Sequence, residues 1–248
     1  MTFRSLLSKS ISRAIFVSLL LTASPFALVR AQNADDLSAI PEDSIPWLRG
    51  VAVSADVVGL LEQAFGSFGQ YELAARVNLK DRYFPVVEVG YGMADASDMT
   101  TGVRFKTKAP YYKVGADFNL MKNKHDIYRL YVGARYGLSI FNYDITAPEQ
   151  TDPVWGDVVP FGVQGASSTW HWVEAVAGVD AKIWGPLRLG WSVRYRNRVA
   201  SRDGGTPRHS DNGGTSRLSD GSRPWYVPGF GRGKNSALGG TFNIIIEI

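Results

Sequence analysis

The sequence contains no cysteine. That excludes disulfides, a thiolate metal site, a cysteine nucleophile and a lipid-modified N-terminal cysteine. Histidine is scarce, with three in 248 residues, and no two of them stand at metal-ligand spacing. A mean hydropathy of -0.10 excludes a helical membrane protein with several spans. No excess of one charge survives inspection either. The formal net charge of +4 comes from Arg4, Lys9, Arg13 and Arg30, because residues 1–31 hold no acid. Removing those four from 27 bases leaves 23 against 23 acids. A neutral mature chain has no field to attract nucleic acid.

What is present begins with a targeting segment. Basic residues precede an apolar stretch, Ile15 to Val29, interrupted by Pro25. Val29-Arg30-Ala31 supplies small residues at the usual cleavage spacing, which predicts a signal peptide over 1–31. A polar leader over 32–46 follows, and 47–248 form the predicted domain.

From there the pattern has period two. Tyr128, Leu130, Val132, Ala134, Tyr136, Leu138 and Ile140 alternate with Arg129, Tyr131, Gly133, Arg135, Gly137 and Ser139. Alternate side chains of a strand point to opposite faces, so this is an amphipathic strand. The same alternation recurs from Val51, Tyr71, Val87, Tyr112, Val173, Leu187 and Phe242. About eight strands result, many near the ~9–11 residues that cross a bilayer at a tilt. Their connections alternate between tight (Lys80-Asp81-Arg82, Trp184-Gly185-Pro186) and long, with loops over 59–69, 93–108, 146–168 and 200–236. The expected fold is all-β, a transmembrane up-and-down antiparallel β-barrel of about eight strands in the bacterial outer membrane.

A soluble barrel of the lipocalin kind would carry the apolar face inside. Three features favour the inverted arrangement. The charged face is also the glycine-rich one, and Tyr91, Tyr112, Tyr128, Trp170, Trp184 and Tyr195 stand near strand ends, where an interfacial girdle belongs. The last strand also runs to Ile248. Near Pro110 the apolar set moves from Val103 and Phe105 to Tyr112 and Val114, which predicts a bulge.

Three stretches carry a resemblance: Phe84-Pro85-Val86-Val87-Glu88-Val89-Gly90-Tyr91-Gly92, Tyr111 to Asn119, and Leu130-Tyr131-Val132-Gly133-Ala134-Arg135-Tyr136-Gly137. They resemble a family of uncharacterised outer-membrane β-barrels from Bacteroidota, a domain of unknown function, from about Val51 to Ile248. The resemblance implies fold and location and assigns no activity. The chain departs from barrel assembly signals by ending in Ile248 rather than Phe or Trp.

The first candidate site is a luminal set of Glu72, Arg76, Glu88, Lys113, Asp117, Arg129, Arg135, Glu174, Asp180, Lys182, Arg188 and Arg194. Eight strands enclose a space that side chains just fill, and charges there must pair. This predicts an ion-pair plug, with a narrow solute path as the alternative. The second candidate is the loop over 200–236, where Arg202, Arg208, Arg217, Arg223, Trp225 and Tyr226 could bind a surface or anionic partner. Lipopolysaccharide, other outer-membrane lipid and an external envelope partner are the expected partners. An acidic loop with Glu149, Asp152 and Asp157 could instead pair with it. An enzyme is the third class. His171, with Ser167, Ser168 and Glu174 nearby, is the best catalytic candidate, but there is no Gly-x-Ser-x-Gly elbow. We expect no catalytic site, metal or cofactor. His125 falls in a turn, His209 in the basic loop, and the acids from Asp203 to Asp220 match no calcium-loop spacing.

Overall fold

The computed structural model describes residues 46–122, 126–148, 150–151, 158–159, 162–203 and 224–248. The predicted signal peptide, the leader up to residue 45, His125, the acids Glu149, Asp152 and Asp157, and His209 lie outside the described residues.

The elements in order are β1 (Leu48–Asp56), α1 (Val57–Phe65), β2 (Phe68–Leu79), β3 (Tyr83–Ser97), β4 (Arg104–Asn119), β5 (Tyr128–Thr146), β6 (Gln150–Thr151) and β7 (Val158–Val159). They continue with β8 (Gly162–Trp184), β9 (Leu187–Asp203), β10 (Tyr226–Val227), β11 (Gly231–Arg232) and β12 (Ser236–Glu247). Eight of the strands close a barrel in the order β1-β12-β9-β8-β5-β4-β3-β2. Every pairing is antiparallel. Both ends of the barrel chain therefore emerge beside the tight turns. One of these turns places Lys80 and Asp81 at φ 54 and 53, with Arg82 N–H donating to the Leu79 carbonyl at 3.0 Å. That is the type I′ geometry whose twist suits a hairpin. Asp81 tolerates it because its backbone and carboxylate both bond the Asn78 amide.

The faces sort as a membrane barrel requires. Val53, Val87, Val114, Ile140 and Val173 are 40–65% exposed on the outside. Glu88, Lys113, Glu174 and Asp180 are at most 2% exposed on the inside. A soluble barrel would reverse this, since leaving a belt of Val, Ile and Leu in water forfeits about 1.5–3 kcal/mol for each side chain. The barrel is transmembrane.

The structure corrects several expectations. The stretch 59–69 is not a plain loop, because α1 occupies most of it. Asp56 caps the helix by accepting from Val58 N–H at 3.1 Å. Beyond Asp56 no strand joins β12 to β2, and α1 packs across the gap. Gly59 lets the helix lie directly on the Gln70 carbonyl. No bulge occurs at Pro110. β4 keeps one register with β3 from Arg104 to Phe118, and its inward residues alternate without a break. The apolar residues change face because the inner wall itself becomes aromatic above Lys113. For the same reason Trp170 leaves the expected girdle: it points inward and is 1% exposed. The loops are also shorter than expected, since β5 runs to Thr146, β8 starts at Gly162 and β9 runs to Asp203.

Candidate functional site

The lumen has two storeys. In the lower one, seven acids and seven bases are buried among the described residues. Lys113 Nζ sits among three carboxylates, at 2.8 Å from Glu72, 3.3 Å from Glu174 and 3.5 Å from Glu88. Arg194 Nη1 bridges Glu72 and Glu88 at 2.8 Å each. Arg135 Nε reaches Glu88 at 3.0 Å, and its Nη2 donates to Asp117 at 2.9 Å. Toward the tight-turn end, Arg76 and Arg188 share Asp180 at 3.0 and 2.7 Å. Arg129 grips Glu247 with two bonds of 2.9 Å. Asp56 accepts from the backbone N–H groups of Val58 and Phe242. The other buried charges have lost water too, and their cost is offset because an opposite charge stands in contact. The spacing that makes this possible is strand pairing. Glu88 lies opposite Lys113, Arg135 opposite Glu174 and Asp180 beside Arg188's strand.

Eleven of the twelve predicted luminal residues meet here. Lys182 does not. It shares their face but stands exposed at the open end, beside a register shift between Lys182 and Trp184. There it lines a polar vestibule of about 240 Å³ with Arg49, Asp81, Arg129 and Glu247. Asp56 and Arg196, which alternation along β1 and β9 also turns inward, belong to the buried set. Asp81 joins it from a turn, where alternation gives no signal.

The upper storey is aromatic. Phe105, Tyr111, Phe141, Tyr143, Trp170 and Trp172 project inward above the charges. Into the space they surround folds the hairpin β10–β11, which carries Tyr226, Val227 and Phe230. Its turn has Pro228 followed by Gly229 at φ +79, with Phe230 N–H on the Val227 carbonyl at 3.1 Å, the residue pattern of a type II turn. Gly229 lies against the Tyr111 ring, where a Cβ would collide. Phe230 packs on Trp170 and Trp172 at centroid distances of 5.5 and 5.9 Å. Trp225 stacks on Phe105 at 5.8 Å.

This corrects the reading of 200–236 as one surface loop. Tyr226 is buried and Trp225 half-buried, because aromatic wall residues take them into the barrel mouth. Arg202 is exposed on β9, while Arg208, Arg217 and Arg223 lie outside the described residues. Three polar contacts join the storeys. Tyr111 Oη donates to Glu72 at 2.9 Å, Trp172 Nε1 to Glu174 at 2.7 Å, and Arg196 Nη1 to the Phe230 carbonyl at 3.1 Å.

His171 is on the outer wall, with Nδ1 at 2.7 Å from Tyr136 Oη. Glu174 and Ser168 are on the inner face. Ser167 shares the outer face with His171 but stands four residues along the strand, about 13 Å away, so the strand brings no nucleophile and acid together at His171. No group of three metal-binding side chains occurs among the described residues.

Residues 11–247 match the family described as a domain of unknown function, DUF6048. Among solved structures, the chain is similar to the Neisserial surface protein A, NspA, at 14% identity and a TM-score of 0.40, covering 80% of this chain and 94% of that one. It is also similar to Ail, the attachment invasion locus protein of Yersinia pestis, solved with the heparin analogue sucrose octasulfate. There the identity is 10% and the TM-score 0.35, over 80% of this chain and 93% of that one. No curated protein matches the chain.

Proposed function

The chain belongs to the DUF6048 family, a membership that assigns no activity, and from that premise we propose an occluded outer-membrane barrel that acts through its outer surfaces. The carrying observation is the doubly filled lumen. Seven buried acids and seven buried bases, nearly all of them ion-paired, occupy its lower part among the described residues, and an aromatic hairpin closes the mouth. Neither storey offers a path for solute, and an eight-stranded barrel has no spare width for one. Catalysis is no part of this reading, since the separated His171, Ser168 and Glu174 support none. What the protein offers to others is its lipid-facing wall and its extracellular rim. Its partners in this reading are outer-leaflet lipid, including lipopolysaccharide, and an envelope or external ligand reached through the segment that includes Arg208 and Arg217. The resemblance to Bacteroidota barrels supports a Gram-negative outer membrane as its place.

The test is an epitope inserted between Gly213 and Gly214. Intact cells should label, and the unboiled protein should migrate differently from the boiled form on a gel. Labelling only after permeabilisation would contradict the orientation. A deletion that removes surface binding yet keeps the barrel must stop before Pro224, because the chain from Pro224 onward forms the cap.

A further inference from the structure

On β4 the outward side chains change character abruptly. Phe118, Ala116, Val114, Tyr112 and Pro110 face outward in turn, followed by Lys108, Lys106 and Arg104. A strand tilted as in a membrane barrel climbs ~2.5 Å per residue along the axis. Lys108 therefore stands about 25 Å above Phe118, where the apolar band of such barrels ends. Lys106 is about 5 Å higher. Lys108 stands opposite the uncharged Met93 on β3, whereas Lys106 stands between two acids, Asp95 on β3 and Asp144 on β5. Arg104, Lys106 and Lys108 form one column on β4, and Arg202 on β9, opposite Thr169, is another exposed cation of this rim.

Their availability differs. Arg104 is held by Asp95 through two bonds of 2.7 Å. Among the described residues neither Lys106 nor Lys108 makes an ion pair. Asp144 lies across the strand from Lys106, but one of its oxygens accepts from Gly165 N–H at 2.7 Å. Beside them is a polar cleft of about 150 Å³ lined by Arg104, Lys106, Asp144, Thr146 and Gln164. It opens on the outer wall.

We propose that Lys106 and Lys108 bind the phosphate of an outer-leaflet lipid headgroup, seated against this cleft, with Tyr112 and Val114 packing on its acyl chains. This rests on the outer-membrane reading above. The apolar stems of both lysines lie along the wall while their ammonium groups reach headgroup level. Each cation near an anionic lipid surface adds attraction. Thr146 and Gln164 supply further polar groups at the phosphate. A free phosphate has the same charge chemistry but gains nothing from the apolar column below, so the lipid is the favoured occupant.

The full chain in detergent, followed by native mass spectrometry, tests the site. The probes are a doubly phosphorylated lipid A, the same lipid without phosphates, and inorganic phosphate as competitor. The wild type should retain phosphorylated lipid and lose the dephosphorylated form. Lys106→Gln with Lys108→Gln should weaken retention about tenfold or more, Lys106→Arg with Lys108→Arg should keep it, and Lys122→Gln at the opposite end should change nothing. Gel mobility before and after boiling verifies that each variant is folded. Wild-type retention by the double Gln variant overturns the site, as does equal retention of dephosphorylated lipid. Complete displacement by inorganic phosphate would make free phosphate the ligand and overturn the lipid assignment. Either result with the chain still in the outer-membrane fraction refutes the site alone. Absence from that fraction refutes the location on which it stands.

Discussion

On β4 the inward face carries Asp117 and Lys113 below and Tyr111, Ala109 and Phe105 above. On β8 it carries Asp180 and Glu174 below and Trp172 and Trp170 above. The alternation is unbroken, yet the chemistry of the lumen inverts within one inward position. The two storeys fill the same barrel by different rules. Below, each charge depends on particular partners, and losing one leaves another buried without compensation. Above, contacts are non-directional and depend mainly on filled volume. The lower storey should therefore be sensitive to single changes, and the upper one more forgiving.

The strongest break of this contrast is Arg194→Met. It removes one of the two cations, with Lys113, that Glu72 and Glu88 share, and should cost about 3–5 kcal/mol, read as a lowered urea midpoint for barrels folded in lipid vesicles. Next comes Phe230→Ala in the cap. Loss of an enclosed ring costs about 3–5 kcal/mol, and the low end, about 3 kcal/mol, is expected here because water can enter the vacated space from the mouth. The same titration should rank it below Arg194→Met. A smaller effect is expected for Gly137→Ala. The added methyl meets the indole of Trp172, and overpacking of this kind costs about 1–3 kcal/mol. Near-ultraviolet circular dichroism should register the displaced Trp172. The smallest effect belongs to Asp95→Asn. That carboxylate pairs with Arg104 on the exposed rim, where ion pairs contribute little, so its urea midpoint should match the wild type. A midpoint shift as large as that of Arg194→Met would remove the distinction between buried and exposed pairs.

The strands were legible because a period of two reports faces directly, and the sign of the barrel followed from glycine sharing a face with charge. The upper storey was not. Phe105, Trp170 and Trp172 are apolar, and in a strand read by polarity they look like lipid-facing residues that have slipped register. Extending the parity of Lys113 upward through Tyr111 to Phe105, or of Glu174 through Trp172 to Trp170, would have placed them inside. Tyr226 and Phe230 lie in a segment rich in Gly, Pro and Arg, and its docking into the mouth depends on partners far away in sequence. Asp56 illustrates a third limit. It ends a strand and caps a helix at once, and Val57-Val58 after it reads locally as more strand.

The central claim is that the lumen is closed, and conductance across a planar bilayer tests it most directly. The purified full chain should insert without stable current steps, and a variant lacking residues 225–232 should still conduct almost nothing because the ion-pair storey remains. Steady ohmic conductance from the wild type would contradict the account and make the charged interior a path rather than a plug.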